Sequence, residues 1–343
     1  MSKVSIVILN WNGAHFLRQF LPPLLAHTHY PWVEIVVADN ASTDDSVTLL
    51  KKHFPQVRII QLDRNYGFAE GYNRTLSQVH ADYYVILNSD VEVTSGWLEP
   101  LLEYLETHPE VAAVMPKIRS WHRRSYFEHA GAAGGFIDRF GYPFCRGRIF
   151  NTIEADEGQY DETSEVFWVT GACMMIRSKV FHDCHGFDKS FFAHMEEIDL
   201  CWRMLWKGHK LYCIPQSTVF HVGGGALPAE NPFKIYLNFR NNLFLLYKNL
   251  PACSLLAIFI QRFLLDYVAA TLFIAQGKFA FFVSLLKAHR DFLRSMKEMR
   301  KFRKQQGYLS KKFPASHLIH KKSLVWQYFI QQKKDFSAIR NAT

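Results

Sequence analysis

Near-unbroken apolar runs alternate with helical patterns along the N-terminal part of the chain. Residues 4–9 are interrupted only by Ser5 and residues 33–38 only by Glu34; similar runs cover 57–62 and 83–87, with apolar residues at helical spacing between them. Strands that are apolar on both faces and separated by helices predict a parallel sheet covered on both sides. Ligands of such sheets bind beyond the carboxyl ends of the strands. Three of those ends carry polar clusters: Asn10-Trp11-Asn12, Asp39-Asn40 and Asn88-Ser89-Asp90.

Residues 119–165 break the alternation. They are rich in Gly, Arg and aromatic residues and read as an irregular loop region, either a surface lid or, through Trp121, Phe136, Tyr142 and Phe144, the lining of a channel. A helix is expected over 196–207, then two short strands ending near Ile214 and His221. The character changes after Pro232, which divides the chain into a catalytic domain, 1–231, and a C-terminal helical, membrane-associating extension, 232–343. Residues 255–286 are largely apolar but interrupted by Gln261, Arg262, Asp266 and Lys278, too often for a strict membrane span. They read either as a helix lying in the plane of a membrane or as a helical hairpin packed on the protein's own core.

Charge sharpens the division. The net charge is +9, yet from Lys287 onward there are 15 Lys and Arg against 3 Asp and Glu, so the rest of the chain is slightly acidic. Such a basic tail is expected to meet an anionic surface; no nucleic-acid-binding module accompanies it, which makes lipid headgroups the expected partner. Six cysteines are scattered without a CxxC pair, and no cleavable leader precedes the first strand. Reduced thiols and a cytoplasmic location, peripheral on the inner face of the membrane, are the expectation.

Four segments carry candidate chemistry. Asp90 follows the apolar strand ending at Leu87, where a carboxylate can hold Mg2+ or Mn2+ against a diphosphate; the same Asn-Ser-Asp also suits a plain turn. Asp39 precedes a helix start for which Ser42 or Asp44 is the candidate cap, so capping does not account for Asp39, and its carboxylate can accept from a pyrimidine N–H. Asn65-Tyr66-Gly67 opens a helix whose N-terminus can face phosphate, or is an ordinary strand-to-helix loop. Glu196, Glu197 and Asp199 crowd another helix start. Asp199 is expected to pair with Arg203 one turn on, leaving Glu196 and Glu197 as candidate bases with a raised pKa. His221, at a strand end before Gly223-Gly224-Gly225, is a candidate metal ligand.

Taken in order, the segment 4–12, Asp39-Asn40-Ala41-Ser42, Asn65-x-Gly67-Phe68, Leu87-Asn88-Ser89-Asp90, Gly171-Ala172-Cys173, Gly186-Phe187-Asp188, Glu196-Glu197-x-Asp199-Leu200-x-x-Arg203 and His221 resemble the family 2 glycosyltransferases. The chain looks most like bacterial rhamnosyltransferase-like members, which extend cell-surface polysaccharides. The resemblance implies a GT-A fold, a Rossmann-like mixed sheet flanked by helices. It implies a nucleotide-diphosphate sugar donor bound by Asn10, Trp11, Asp39, Asn65, Gly67 and Asn88, with Asp39 on the base. Asp90 and His221 would hold the metal, and Glu197, or Glu196, would deprotonate the hydroxyl of a glycan or lipid-linked acceptor in an inverting displacement. Two positions depart from the family pattern: Asn88 stands where Asp is usual, and Glu197 where Asp is commoner. The rival readings are a sugar nucleotidyltransferase, disfavoured by Asn10-Trp11-Asn12-Gly13 where a Gly-rich phosphate loop is needed, and a catalytically silent membrane-associated scaffold. A dinucleotide-dependent oxidoreductase is also disfavoured, because Gly131 to Gly135 do not follow the first strand.

Overall fold

The computed structural model describes residues 2–223, 231–307 and 312–340. Its strands and helices run β1 (Val4–Asn10), α1 (Ala14–His27), β2 (Val33–Asp39), α2 (Ser46–His53), β3 (Arg58–Gln61), α3 (Gly67–Leu76), β4 (Tyr83–Leu87), β5 (Val91–Val93), α4 (Glu99–Thr107) and β6 (Val111–Ser120). Then come β7 (Gly135–Asp138), β8 (Pro143–Cys145), β9 (Arg148–Ile149), β10 (Thr152–Ile153), β11 (Ser164–Glu165), β12 (Cys173–Arg177), α5 (Ser178–Asp183), α6 (Glu196–Trp206) and β13 (Lys210–His221). The chain continues through α7 (Pro232–Asn249), α8 (Ala252–Ala275), α9 (Phe279–Gln306), β14 (Ile319–His320) and α10 (Phe336–Arg340).

The main sheet has the order β11-β13-β6-β12-β4-β1-β2-β3, with β5 added on β13. Strands β3, β2, β1 and β4 are mutually parallel, while β12 enters antiparallel between β4 and β6. This is the mixed α/β sheet flanked by helices that the resemblance implies. Val7, Val36, Val37, Val85 and Ile86 are all at 0% exposure, as a sheet covered on both faces requires. All six cysteines are free, and five of them are buried.

Two expectations need correction. The segment 119–165 is not an irregular loop: β7 to β10 form a second sheet in the order β10-β9-β8-β7-β14. Phe136 and Phe144 are buried in it against Phe336, so these two rings are core, not channel lining. Short strands of two to four residues set between glycines carry too little periodicity to be read from sequence. Second, the two short strands expected before His221 are one strand, β13, whose register with β6 shifts between Ile214 and Thr218. The basic C-terminus is tied back to the second sheet. Strand β14 pairs with β7, Asp138 Oδ2 accepts from the Leu324 N–H at 2.9 Å, and Glu154 Oε1 accepts from the Phe336 N–H at 3.1 Å.

The segment 255–286 forms an α8–α9 hairpin. The charges that seemed to rule out a span turn inward: Arg262 and Asp266 pair at 2.8 Å, His289 reaches Asp266 at 2.9 Å, and Lys278 lies beyond the end of α8. By length and composition α8, with a mean hydropathy of 1.6, is long and apolar enough to cross a membrane. Its outer face exposes Leu256, Ile260, Leu264, Tyr267, Val268 and Leu272.

Candidate functional site

Pairing of β1 with β2 sets Asn10 beside Asp39. Asn10 is fully buried; its Nδ2 donates to Ser46 Oγ at 3.0 Å and Ser42 Oγ at 3.3 Å and lies 3.5 Å from Asp39 Oδ1. The other Asp39 oxygen accepts from the Ser42 N–H at 3.0 Å, so this buried carboxylate is turned into the β2–α2 connection. Asp44, not Ser42, accepts from the N–H of Ser46 at the start of α2, and its second oxygen accepts from Ala14 N–H. Trp11 stands open to solvent at 54% exposure.

Asn40, which the sequence reading left without a role, ties the next turn to the end of β2. Its Oδ1 accepts from Tyr66 N–H at 2.9 Å, and its Nδ2 donates to Asn65 Oδ1 at 3.0 Å and Gly67 O at 3.2 Å. Gly67 has φ +73°, and a Cβ there would lie 2.7 Å from the Phe192 ring and 2.9 Å from its carbonyl oxygen. A glycine is needed because the loop before α6 docks on this turn, with Phe192 O accepting from Phe68 N–H at 2.9 Å.

On the other side of β4, Asn88, Asp90 and His221 meet. His221 Nε2 lies 3.1 Å from Asp90 Oδ1 and 3.4 Å from Asn88 Nδ2, while its Nδ1 lies 3.0 Å from Glu128 Oε2. Glu128 is a site residue that sequence reasoning missed, hidden in the segment taken for an irregular loop. Burial opposes charge on the His221 ring, but the Asp90 and Glu128 carboxylates outweigh it and push its pKa up to about 10. Burial would likewise raise Asp90, and the His221 ring reverses that, holding Asp90 below its ordinary value.

These groups fit a divalent cation. A carboxylate beside an imidazole Nε2, whose Nδ1 is held by a second carboxylate, is the arrangement that orients metal-bound histidines. Among the described residues no group of three or more His, Cys, Asp and Glu is arranged to hold an ion. A cation held by Asp90 and His221 would therefore need further oxygen ligands from outside the described residues.

Helix α6 begins at the acidic pair. Glu196 is buried, Glu197 is half-buried, and an oxygen of each lacks a hydrogen-bond partner among the described residues. Burial, then the Glu197 charge, raises Glu196 well above the usual carboxylate range; burial raises Glu197 to about 7. Asp199 pairs with Arg203 at 2.8 Å as expected, and Lys248 and Asn249 from α7 complete its shell. The loop before α6 is strained, with φ of +64° at Phe192, +69° at His194 and +71° at Met195. Asn241 of α7 clamps it: its Nδ2 lies 3.0 Å from Phe191 O and 2.8 Å from both Ala193 O and His194 O. The Gly171-Ala172 segment separates the two halves of the site. A Cβ on Gly171 would stand 3.8 Å from Glu197 Cβ, and Ala172 O accepts from Asn88 N–H at 2.9 Å.

The sequence pattern described as Glycosyl transferase family 2 matches residues 5–184. An N-acetylglucosaminyl-diphospho-decaprenol L-rhamnosyltransferase of Mycobacterium tuberculosis is 27% identical over 64% of this chain and 75% of its own length. The rhamnosyltransferase WbbL of Escherichia coli is 26% identical over 64% of this chain and 83% of its own. The fold resembles GalNAc-T7, solved with UDP, GalNAc and Mn2+, at TM-score 0.56 and 15% identity over 72% of this chain and 48% of that one. It also resembles the mannosyltransferase PcManGT of Pyrobaculum calidifontis, solved with GDP-Man and Mn2+, at TM-score 0.51 and 14% identity over 90% of this chain and 85% of that one. At these identities the structural likeness speaks to the fold alone, a GT-A fold. With the family pattern spanning more than half of the chain and the ordered motifs at one sheet edge, this protein belongs to glycosyl transferase family 2.

Proposed function

We propose that this protein transfers a sugar, of the rhamnosyl or hexosyl type, from a nucleotide diphosphate to a glycan or lipid-linked acceptor in cell-surface polysaccharide synthesis, with inversion. The observation that carries the reading is the meeting, across Gly171-Ala172, of the Asn88–Asp90–His221–Glu128 cluster with the raised Glu196–Glu197 pair. Asp90 and His221 are the residues that would hold Mg2+ or Mn2+. When bound, such an ion neutralises charge developing on a departing diphosphate.

The remaining steps belong to the chain's own groups. Glu128 fixes which His221 nitrogen faces Asp90. Asn10 and Asp39 shape the β1–β2 end of the cleft, and Trp11 offers an exposed ring beside it for the donor. Glu197, with a pKa near neutrality, takes the proton of the attacking hydroxyl, and Glu196 beside it stays protonated. A carboxylate placed to act as the base, as Glu197 is in this reading, supports a single displacement.

The same reading places the enzyme at the cytoplasmic surface of a membrane. What supports this is the inverted pattern of α8, apolar outside and charged inside, beside a basic α9. The test is release of UDP, dTDP or GDP from a panel of donor sugars with and without divalent cations. Cation-dependent release that Asp90→Ala abolishes supports the reading; no release across the panel refutes it.

A further inference from the structure

Between β14 and α10 the chain makes a single π-helical turn, Trp326–Ile330. Trp326, Phe329 and Ile330 point away from the protein there and are 57%, 55% and 61% exposed. One exposed apolar side chain is ordinary, but three large ones within five residues form a patch that needs a partner. The turn cannot fold them away, because its inner side is already packed. Leu324 and Gln327 are buried, Tyr328 Oη lies 2.7 Å from Thr152 Oγ1, and the Tyr328 ring stands 5.0 Å from that of Phe150. Gln331 N–H closes the turn by donating to Trp326 O at 3.1 Å.

Charge selects the partner. Residues 321–334 carry a pair of lysines at each end and no Asp or Glu, and Lys321, Lys322 and Lys334 are exposed. The next carboxylate, Asp335, is turned to its own backbone, accepting from Ala338 N–H at 2.7 Å and from Ser337 Oγ at 2.6 Å. Aromatic and aliphatic groups between basic ends suit the interface of an anionic bilayer, where rings sit at headgroup depth and ammonium groups meet phosphates. A protein partner fits less well, since lysine is depleted from such interfaces. A second copy of this chain, related by a two-fold axis, would set the lysines against their own counterparts. A series of packed groups joins the turn to α8: Phe329 to Phe150 at 5.3 Å, Phe150 to Tyr142 at 6.1 Å, and Tyr142 to the Arg262 guanidinium at 4.2 Å.

We propose that this turn is a lipid anchor separate from α8: Trp326, Phe329 and Ile330 enter the headgroup region of an anionic bilayer, and Lys321, Lys322 and Lys334 meet its phosphates. The inference goes beyond the α8 contact, and rests on the membrane placement only for the bilayer that the two elements would share. A single helix lying on lipid leaves the body free to roll about the helix axis. A second contact, held at the end of the second sheet, removes that freedom.

The experiment mixes the full-length protein with vesicles of phosphatidylcholine and phosphatidylglycerol whose acyl chains carry bromine, and follows tryptophan emission together with cosedimentation. The expected result is quenching by the brominated lipid that Trp326→Phe removes, with the thermal midpoint unchanged and the protein still bound. Combining Lys321→Gln, Lys322→Gln and Lys334→Gln is expected to weaken binding by about tenfold or more. Vesicle-bound protein that is quenched equally in the wild type and in Trp326→Phe overturns the anchor and leaves the α8 contact standing. Absence of binding to these vesicles overturns both. A concentration-dependent dimer in vesicle-free buffer, lost in Trp326→Ser, makes a second copy the occupant and also overturns the proposal. Donor turnover is not read in any arm, so each of these failures is distinct from a failure of the transferase reading.

Discussion

His221 Nδ1 and Glu128 Oε2 lie 3.0 Å apart, and the same imidazole presents Nε2 to Asp90 at 3.1 Å. The ring is thus oriented from behind. Replacing such an outer carboxylate generally lowers metal affinity by about 10- to 100-fold. Glu128→Ala is expected to raise the Mn2+ concentration for half-maximal donor turnover by that factor, read from a metal titration. An unchanged half-maximal concentration would remove Glu128 from the metal's support.

Loss of a general base costs roughly 100- to 10,000-fold in rate. Glu197→Gln is expected to fall in that range with the thermal midpoint preserved or raised, because a half-buried charge is gone. Retained kcat in Glu197→Gln, together with a collapse in Glu196→Gln, would move the base one residue back.

The acidic pair also sets a pH dependence. With Glu197 at about 7 in the fold, transfer should rise about tenfold per pH unit below 7 and level off above it. Stability runs the other way. The folded-state pKa is raised above the unfolded value of about 4.3, so the contribution is complete below that value and is lost as pH climbs through 7. Rate profiles and thermal midpoints from pH 5 to 8 should therefore slope in opposite directions, and Glu197→Gln should flatten the rate profile.

Asn241 acts on the acidic pair through the loop it clamps. Asn241→Ala leaves the carbonyls of Ala193 and His194 without this donor, at a cost of about 1–3 kcal/mol. The expected outcome is a lower thermal midpoint and a fall in kcat larger than any change in donor KM. A variant with altered KM alone would show that the clamp does not position the acidic pair.

The outer face of α8 is expected to carry membrane contact. Ile260→Glu combined with Leu264→Glu should reduce cosedimentation with vesicles containing anionic lipid while leaving turnover of a soluble acceptor intact. Unchanged cosedimentation would argue against α8 as the contact face.

The sheet, the strand-tip clusters and the Asp199–Arg203 pair were legible because each is a local pattern: an apolar run with polar residues at its end, or a charge pair one helical turn apart. Glu128, Asn40 and Asn241 were not. Each acts on residues distant in sequence, 93 positions away for Glu128 and His221, and neither neighbours nor spacing mark it. The second sheet was missed for a related reason: it is completed by β14, which pairs with β7 from the far end of the chain. For residues 255–286 the sequence shows that charges interrupt the apolar run but not that Arg262 and Asp266 face inward and pair with each other.

Because β14 returns to β7 after α9, the α7–α9 region is fastened at both of its ends, and Asn241 joins it to the loop beneath the acidic pair. A hairpin secured in this way cannot swing like a tethered arm. Under the proposed membrane contact, such fastening would hold the acidic pair at a set distance from the lipid surface.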